Sequence, residues 1–136
     1  MDDFKVIYNM QKRFQEELGY DFATMSDEAR VNYISEYVKH LHHEIGEMLQ
    51  ELPFFKSWKQ YPADPIVRGL MFHKAWEEWA DVLHFFLNVT IGLGLTPDDL
   101  YSLYHDKQLV NHTRQLDSVQ YKKCVEGTWP YEVTSN

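Results

Sequence analysis

Cysteine occurs once, at Cys124, which excludes an intrachain disulfide and any thiolate metal cluster; a reducing cytoplasm, of a cell or of a viral host, is the expected setting. Positive charge is also scarce. Thirteen Lys and Arg stand against 21 Asp and Glu, and the resulting net charge of −8 repels nucleic acid and anionic membranes except where cations cluster locally. Neither nucleic acid nor membrane is therefore an expected partner. The longest apolar run, 82–95, is broken by His84, Asn88, Thr90 and two glycines and has charged flanks, so it is expected to be a buried helix and not a bilayer span. Met1-Asp2-Asp3 lacks the basic-then-apolar order of a secretory signal. Strand signals are missing too: there is no Asn-Gly or Asp-Gly turn and no sustained period-two alternation. Repeats and low-complexity tracts are likewise absent.

What remains is helical periodicity. Ile7, Met10, Phe14 and Leu18 recur at threes and fours, predicting a first helix over 4–18 that Gly19 ends. Ser26-Asp27-Glu28 supplies a cap and an acidic first turn for a second helix over about 27–52, with Pro53 just past its end. Residues 54–65 hold aromatics, lysines and prolines without period and read as an ordered loop. A third helix follows over about 66–93, with a division possible at Gly69. Thr96-Pro97-Asp98-Asp99 combines a capping hydroxyl, proline at the first helical position and two acids at the positive end of the dipole, so a fourth helix starts at Pro97 and runs to about 119. One all-α domain over 1–136, a bundle of four to five helices with a tail from about 123, is the expected architecture.

Two carboxylate pairs lie on these helices. Glu44 and Glu47 are three apart on the second, so both can reach a common ion. Glu78 and Asp81 repeat the spacing on the third, where Trp76, Trp79, Leu83 and Phe86 leave Asp81 few expected routes to water. A charge so enclosed must be paired or bound to metal. Glu77, Asp81, His84 and Asn88 form a polar stripe on that helix; facing Glu44 and Glu47, it would frame an oxygen-rich cavity suited to Mg²⁺ or Mn²⁺. Either pair alone is far more often solvated surface charge; it is the two together, on successive long helices, that point to a metal.

Lys107, Asn111 and Arg114 share one side of the fourth helix, a cationic strip that either meets a phosphate chain, with Tyr121 and Lys122 closing it, or balances an acidic protein. Phe54, Phe55 and Trp58 with Lys56 and Lys59 follow the first carboxylate helix; such a run stacks on a base and meets phosphate, or anchors a loop. His40, His42 and His43 lack the HExxH spacing of a zinc protease.

With these residues laid out, the chain resembles the dimeric all-α dUTPases of the MazG-like nucleotide pyrophosphohydrolase superfamily. The likeness rests on His43-Glu44-Ile45-Gly46-Glu47 leading to Phe55-Lys56-Ser57-Trp58, and on Glu78-Trp79-Ala80-Asp81-Val82-Leu83-His84-Phe85. It covers roughly residues 4–122 and departs from the family pattern at Phe14, where a polar residue is usual, and at Gln120, where glycine is frequent. The resemblance implies that Glu44, Glu47, Glu78 and Asp81 hold two or more Mg²⁺ ions and that Glu47 is the base. It further implies that Lys59, Lys107, Arg114, Tyr121 and Lys122 meet phosphate, and that Gln11, Trp58, Phe85 and Asn111 contact base or sugar. The implied reaction is hydrolysis of dUTP, or dUDP, to dUMP by a homodimer or homotetramer. Another deoxynucleoside triphosphate such as dCTP is the alternative substrate.

Two other classes compete. A di-iron carboxylate bundle asks for Glu-x-x-His on two helices, and only Asp81-Val82-Leu83-His84 comes near. A helical interaction module would use its acids for solubility and its aromatics for a partner protein.

Overall fold

A computed structural model describes residues 2–117; Tyr121, Lys122 and the expected tail lie outside the described residues. Four helices follow in order: α1 Asp3–Glu17, α2 Asp27–Glu51, α3 Pro65–Gly92 and α4 Pro97–Asp117. The all-α expectation holds, with both ends of α1, α2 and α3 and the start of α4 within one residue of those expected; the expected end of α4 at about 119 lies outside the described residues. Gly69 does not divide α3. The helix is already nucleated ahead of it, since Asp64 caps Ile66, Pro65 occupies the first turn, and the Arg68 amide donates to the Asp64 carbonyl at 3.1 Å. Among the described residues no single helix is long and apolar enough to cross a membrane.

The starts and stops are chemical. Asp2 accepts from the amides of Phe4 and Lys5, and Ser26 accepts from Ala29, so orphan donors of α1 and α2 are satisfied. α1 and α3 end alike. The Gly19 and Tyr20 amides bond back to Glu16 and Gln15, and the Gly94 and Leu95 amides to Ile91 and Thr90, with both glycines at positive φ. At Gly94 a side chain is excluded twice, by φ +77° and by the Arg30 guanidinium packed where a Cβ would stand. That guanidinium donates from Nε to the Gly92 carbonyl at 2.6 Å, and from Nη2 to the Leu93 carbonyl.

The chain separates into two compact units, one ending at Thr96 and one beginning at Pro97. In the first, α2 and α1 both pack against α3. Partners run in opposite order: Arg30 meets Gly92 and Tyr8 donates to the Leu95 carbonyl at 2.7 Å, while Gln11 meets Asn88 further along. Both helices are thus antiparallel to α3. Tyr8, Leu87 and Ile91 form the buried core, with Phe4, Ile7 and Phe22 packed on it. Leu87 is only 1% exposed and contributes about 1.5–3 kcal/mol by leaving water. Gly92 is required here, because a Cβ would lie 2.9 Å from Ile34 and Tyr33. In the second unit, nearly all described α4 side chains are exposed, and Tyr101 stacks on His105 at 6.3 Å.

Candidate functional site

Antiparallel packing of α2 on α3 brings the two Glu-x-x-acid turns level. Carboxylate oxygens of Glu44, Glu47 and Glu78 all lie within 4.8 Å of one another. Glu44 Oε2 and Glu78 Oε2 are buried and accept no hydrogen bond. Carboxylates only accept, so two facing each other without a donor are electrostatically frustrated unless a proton or a cation joins them. The Glu78 carboxyl is accordingly raised to about 7, first by removal from water, then by its contact with Glu44 and by the charges of Glu47, Glu44 and Asp81. A hard divalent cation with oxygen ligands fits this donor set.

Asp81 corrects one expectation. It is 52% exposed, 3.8 Å from His84 Nδ1, and stands outside the tight group of three. The aromatics expected to enclose it, Trp76 and Trp79 with Leu83, are themselves exposed, because α1 and α2 cover only part of α3. Its charge still reaches Glu78. His43, noted from sequence only as a neighbour, lies 2.8 Å from Glu47 Oε1 one helical turn away. Its spacing of four from Glu47 was the available signal.

Along α3 from the acids, an open cavity of about 600 Å³ is walled by α1, α2 and α3. Gln11 and Phe85, both expected to meet base or sugar, line it, together with Phe14, Gln15, Tyr37, His84 and Asn88. Phe85 is backed by Tyr37 and His40, whose rings lie 6.0 and 5.4 Å away. Gln11 Nε2 donates to Asn88 Oδ1 at 2.8 Å, and the Tyr33 hydroxyl donates to Gln15 Oε1 at 3.0 Å. Burial raises the Tyr33 hydroxyl well above its ordinary value, so it stays protonated as a donor. Asn88 is expected from sequence to help frame a cation cavity as part of the polar stripe, and instead lines this cavity; Gln15, an amide four residues from Gln11 on the same helix, carries no sequence signal beyond that spacing. Ten residues separate Glu78 from Asn88, about 15 Å along the helix axis, a span that one extended nucleotide bridges.

Trp58 is 81% exposed in the loop, and Lys59 lies 5.7 Å over the Tyr61 ring. Lys107, Asn111 and Arg114 stand exposed on α4, in the second unit. A family model described as dUTPase matches residues 3–96, the span that carries all four acids and the cavity. Comparison with curated proteins and with solved structures returned no match.

Proposed function

Since the chain belongs to the dUTPase family, and so is a nucleoside triphosphate pyrophosphohydrolase that hydrolyses dUTP, we propose that Glu44, Glu47 and Glu78, with Asp81 beside them, hold Mg²⁺ while the α1–α3 cavity takes the base. The observation that carries this reading is the pair of buried, unpartnered oxygens of Glu44 and Glu78 inside a three-carboxylate group. When bound, the cation supplies neutralisation of the phosphate chain and lowers the pKa of a coordinated water.

The chain's own groups do the rest. His43 engages Glu47 Oε1 and so orients the carboxylate that would take the proton of the attacking water. Phe85, backed by Tyr37 and His40, offers an aromatic face to the base, and Gln11 offers an amide to its edge. To Lys59, Lys107, Arg114, Tyr121 and Lys122 we assign phosphate contacts, and to Trp58 and Asn111 contacts with base or sugar; the family likeness of those positions supports this. Mn²⁺ is expected to substitute for Mg²⁺, since both accept an oxygen-rich site.

Self-association as a homodimer or homotetramer belongs to the same reading. Trp76, Trp79, Leu83 and Phe86 expose a wide apolar surface on α3 that a second copy would cover. A reducing cytoplasm remains the proposed setting, supported by the single cysteine in 136 residues. The test is phosphate and pyrophosphate release from dUTP, dUDP, dCTP and the other deoxynucleoside triphosphates, with and without Mg²⁺. Metal-dependent dUMP and pyrophosphate formation from dUTP is expected; turnover that chelator leaves intact would overturn the metal assignment.

A further inference from the structure

Asn88 is buried to 2% exposure on the most apolar stretch of α3, beside Leu87 and Ile91. An amide in such a place must find partners, and it finds one in Gln11, whose Nε2 donates to Asn88 Oδ1 at 2.8 Å from across the helix interface. Both residues line the cavity proposed above for the base. A glutamine amide free to rotate about its last bond presents either an oxygen or an N–H₂ to a ligand, so by itself it welcomes a donor and an acceptor alike. Here the nitrogen is engaged by Asn88, so the carbonyl oxygen is the end of the amide that remains to meet a ligand.

Gln15 is held in the same wall in the opposite sense. Its Oε1 accepts from the buried Tyr33 hydroxyl at 3.0 Å, which leaves the N–H₂ end as the donor. Uracil presents an N3–H donor flanked by two carbonyl acceptors. Cytosine presents an acceptor at N3 and an amino donor beside it, the reverse arrangement.

We propose that Asn88 is a positioning residue for base discrimination: by fixing the Gln11 amide with its oxygen toward the cavity, it lets the site accept the N3–H of uracil and turns away the N3 lone pair of cytosine. The proposal rests on the reading of this cavity as the base site. A buried acceptor facing an acceptor leaves both unsatisfied, which is how polar sites reject near-isosteres far more strongly than apolar ones do.

The experiment compares kcat/KM for dUTP and for dCTP in the wild-type protein and in Asn88→Leu, which keeps the branched shape and the number of side-chain heavy atoms and removes the lock. Asn88→Ser, smaller and too short to reach Gln11, serves if Leu perturbs folding. Ile91→Ala, a core change away from the cavity lining, controls for general destabilisation, and thermal melting is recorded for each. The dUTP-to-dCTP ratio is expected to fall by about tenfold or more in both Asn88 variants, chiefly through a gain on dCTP, and to hold in Ile91→Ala. A ratio unchanged in the Asn88 variants of an enzyme that does prefer dUTP overturns the role of Asn88 and leaves the functional reading standing. An equal fall in Ile91→Ala overturns it as well. A wild-type protein that turns over neither nucleotide removes the functional reading itself, and this proposal with it.

Discussion

Glu44 Oε2 on α2 and Glu78 Oε2 on α3 are both buried without a hydrogen-bond partner, and carboxylate oxygens of the two residues lie within 4.8 Å of each other. In the metal-free protein this arrangement stores repulsion, and the raised Glu78 carboxyl is its signature. The same arrangement favours cation binding, because a divalent ion relieves repulsion that the apo-protein already carries.

The stability of metal-free protein is therefore pH-dependent in a defined direction. Glu78 titrates near 4.5 when unfolded and at about 7 when folded, so between these values the folded state holds the extra proton. Stability is present below pH 4.5 and is lost as pH rises through about 7. Melting temperatures of wild type and Glu78→Gln in chelator, measured from pH 4.5 to 8, are expected to diverge over this window, with the wild type declining relative to the variant. Parallel curves would show that Glu78 carries no raised pKa. Added Mg²⁺ is expected to stabilise wild type more at pH 8 than at pH 5.

Glu47→Gln removes the proton acceptor while keeping size and the ability to meet His43. Its kcat for dUTP is expected to drop by about 10²–10⁴-fold, the usual worth of a general base. Asp81, exposed and outside the tight group, makes a milder case: Asp81→Asn is expected to raise the Mg²⁺ concentration needed for half-maximal rate more than it lowers the saturated rate. Mg²⁺ titrations of the initial rate distinguish the two.

Glycines separate by environment. Gly94→Ala meets both positive φ and the Arg30 guanidinium, and is expected to lose at least ~1 kcal/mol in urea unfolding. Gly69→Ala sits inside α3 with open space where its Cβ would go, and is expected to gain about 0.5–1 kcal/mol. Opposite signs are the point of the comparison.

The exposed tryptophans of α3 bear on assembly. Trp76→Glu and Trp79→Glu are expected to shift sedimentation toward monomer at a concentration where wild type is associated, since each places a charge in an apolar contact. A wild-type protein that sediments as a monomer throughout would remove self-association from the proposed function.

On α4, Lys107→Ala and Arg114→Ala are expected to raise KM for dUTP by about tenfold each, with a smaller effect on the uncharged nucleoside as a competitive ligand. Loss of a charge-assisted phosphate contact scales with ligand charge, which a merely structural change would not do.

Helix positions were legible because their causes are local: Ser26, Gly19, Pro97 and the threes-and-fours of apolar residues act within one or two turns. The acid pairs were legible for the same reason, as i,i+3 spacing is a property of one helix. Which carboxylates meet across helices was not. That depended on the antiparallel register of α2 on α3, which groups Glu44, Glu47 and Glu78 and leaves Asp81 in water. The identity of the amide locks was equally out of reach, since Gln11 and Asn88 are 77 residues apart in the chain and become partners only when α1 lies on α3. Local periodicity thus determined the helices and their chemistry by sequence alone, while pairing between helices, a matter of packing at long sequence separation, was decided by the tertiary structure.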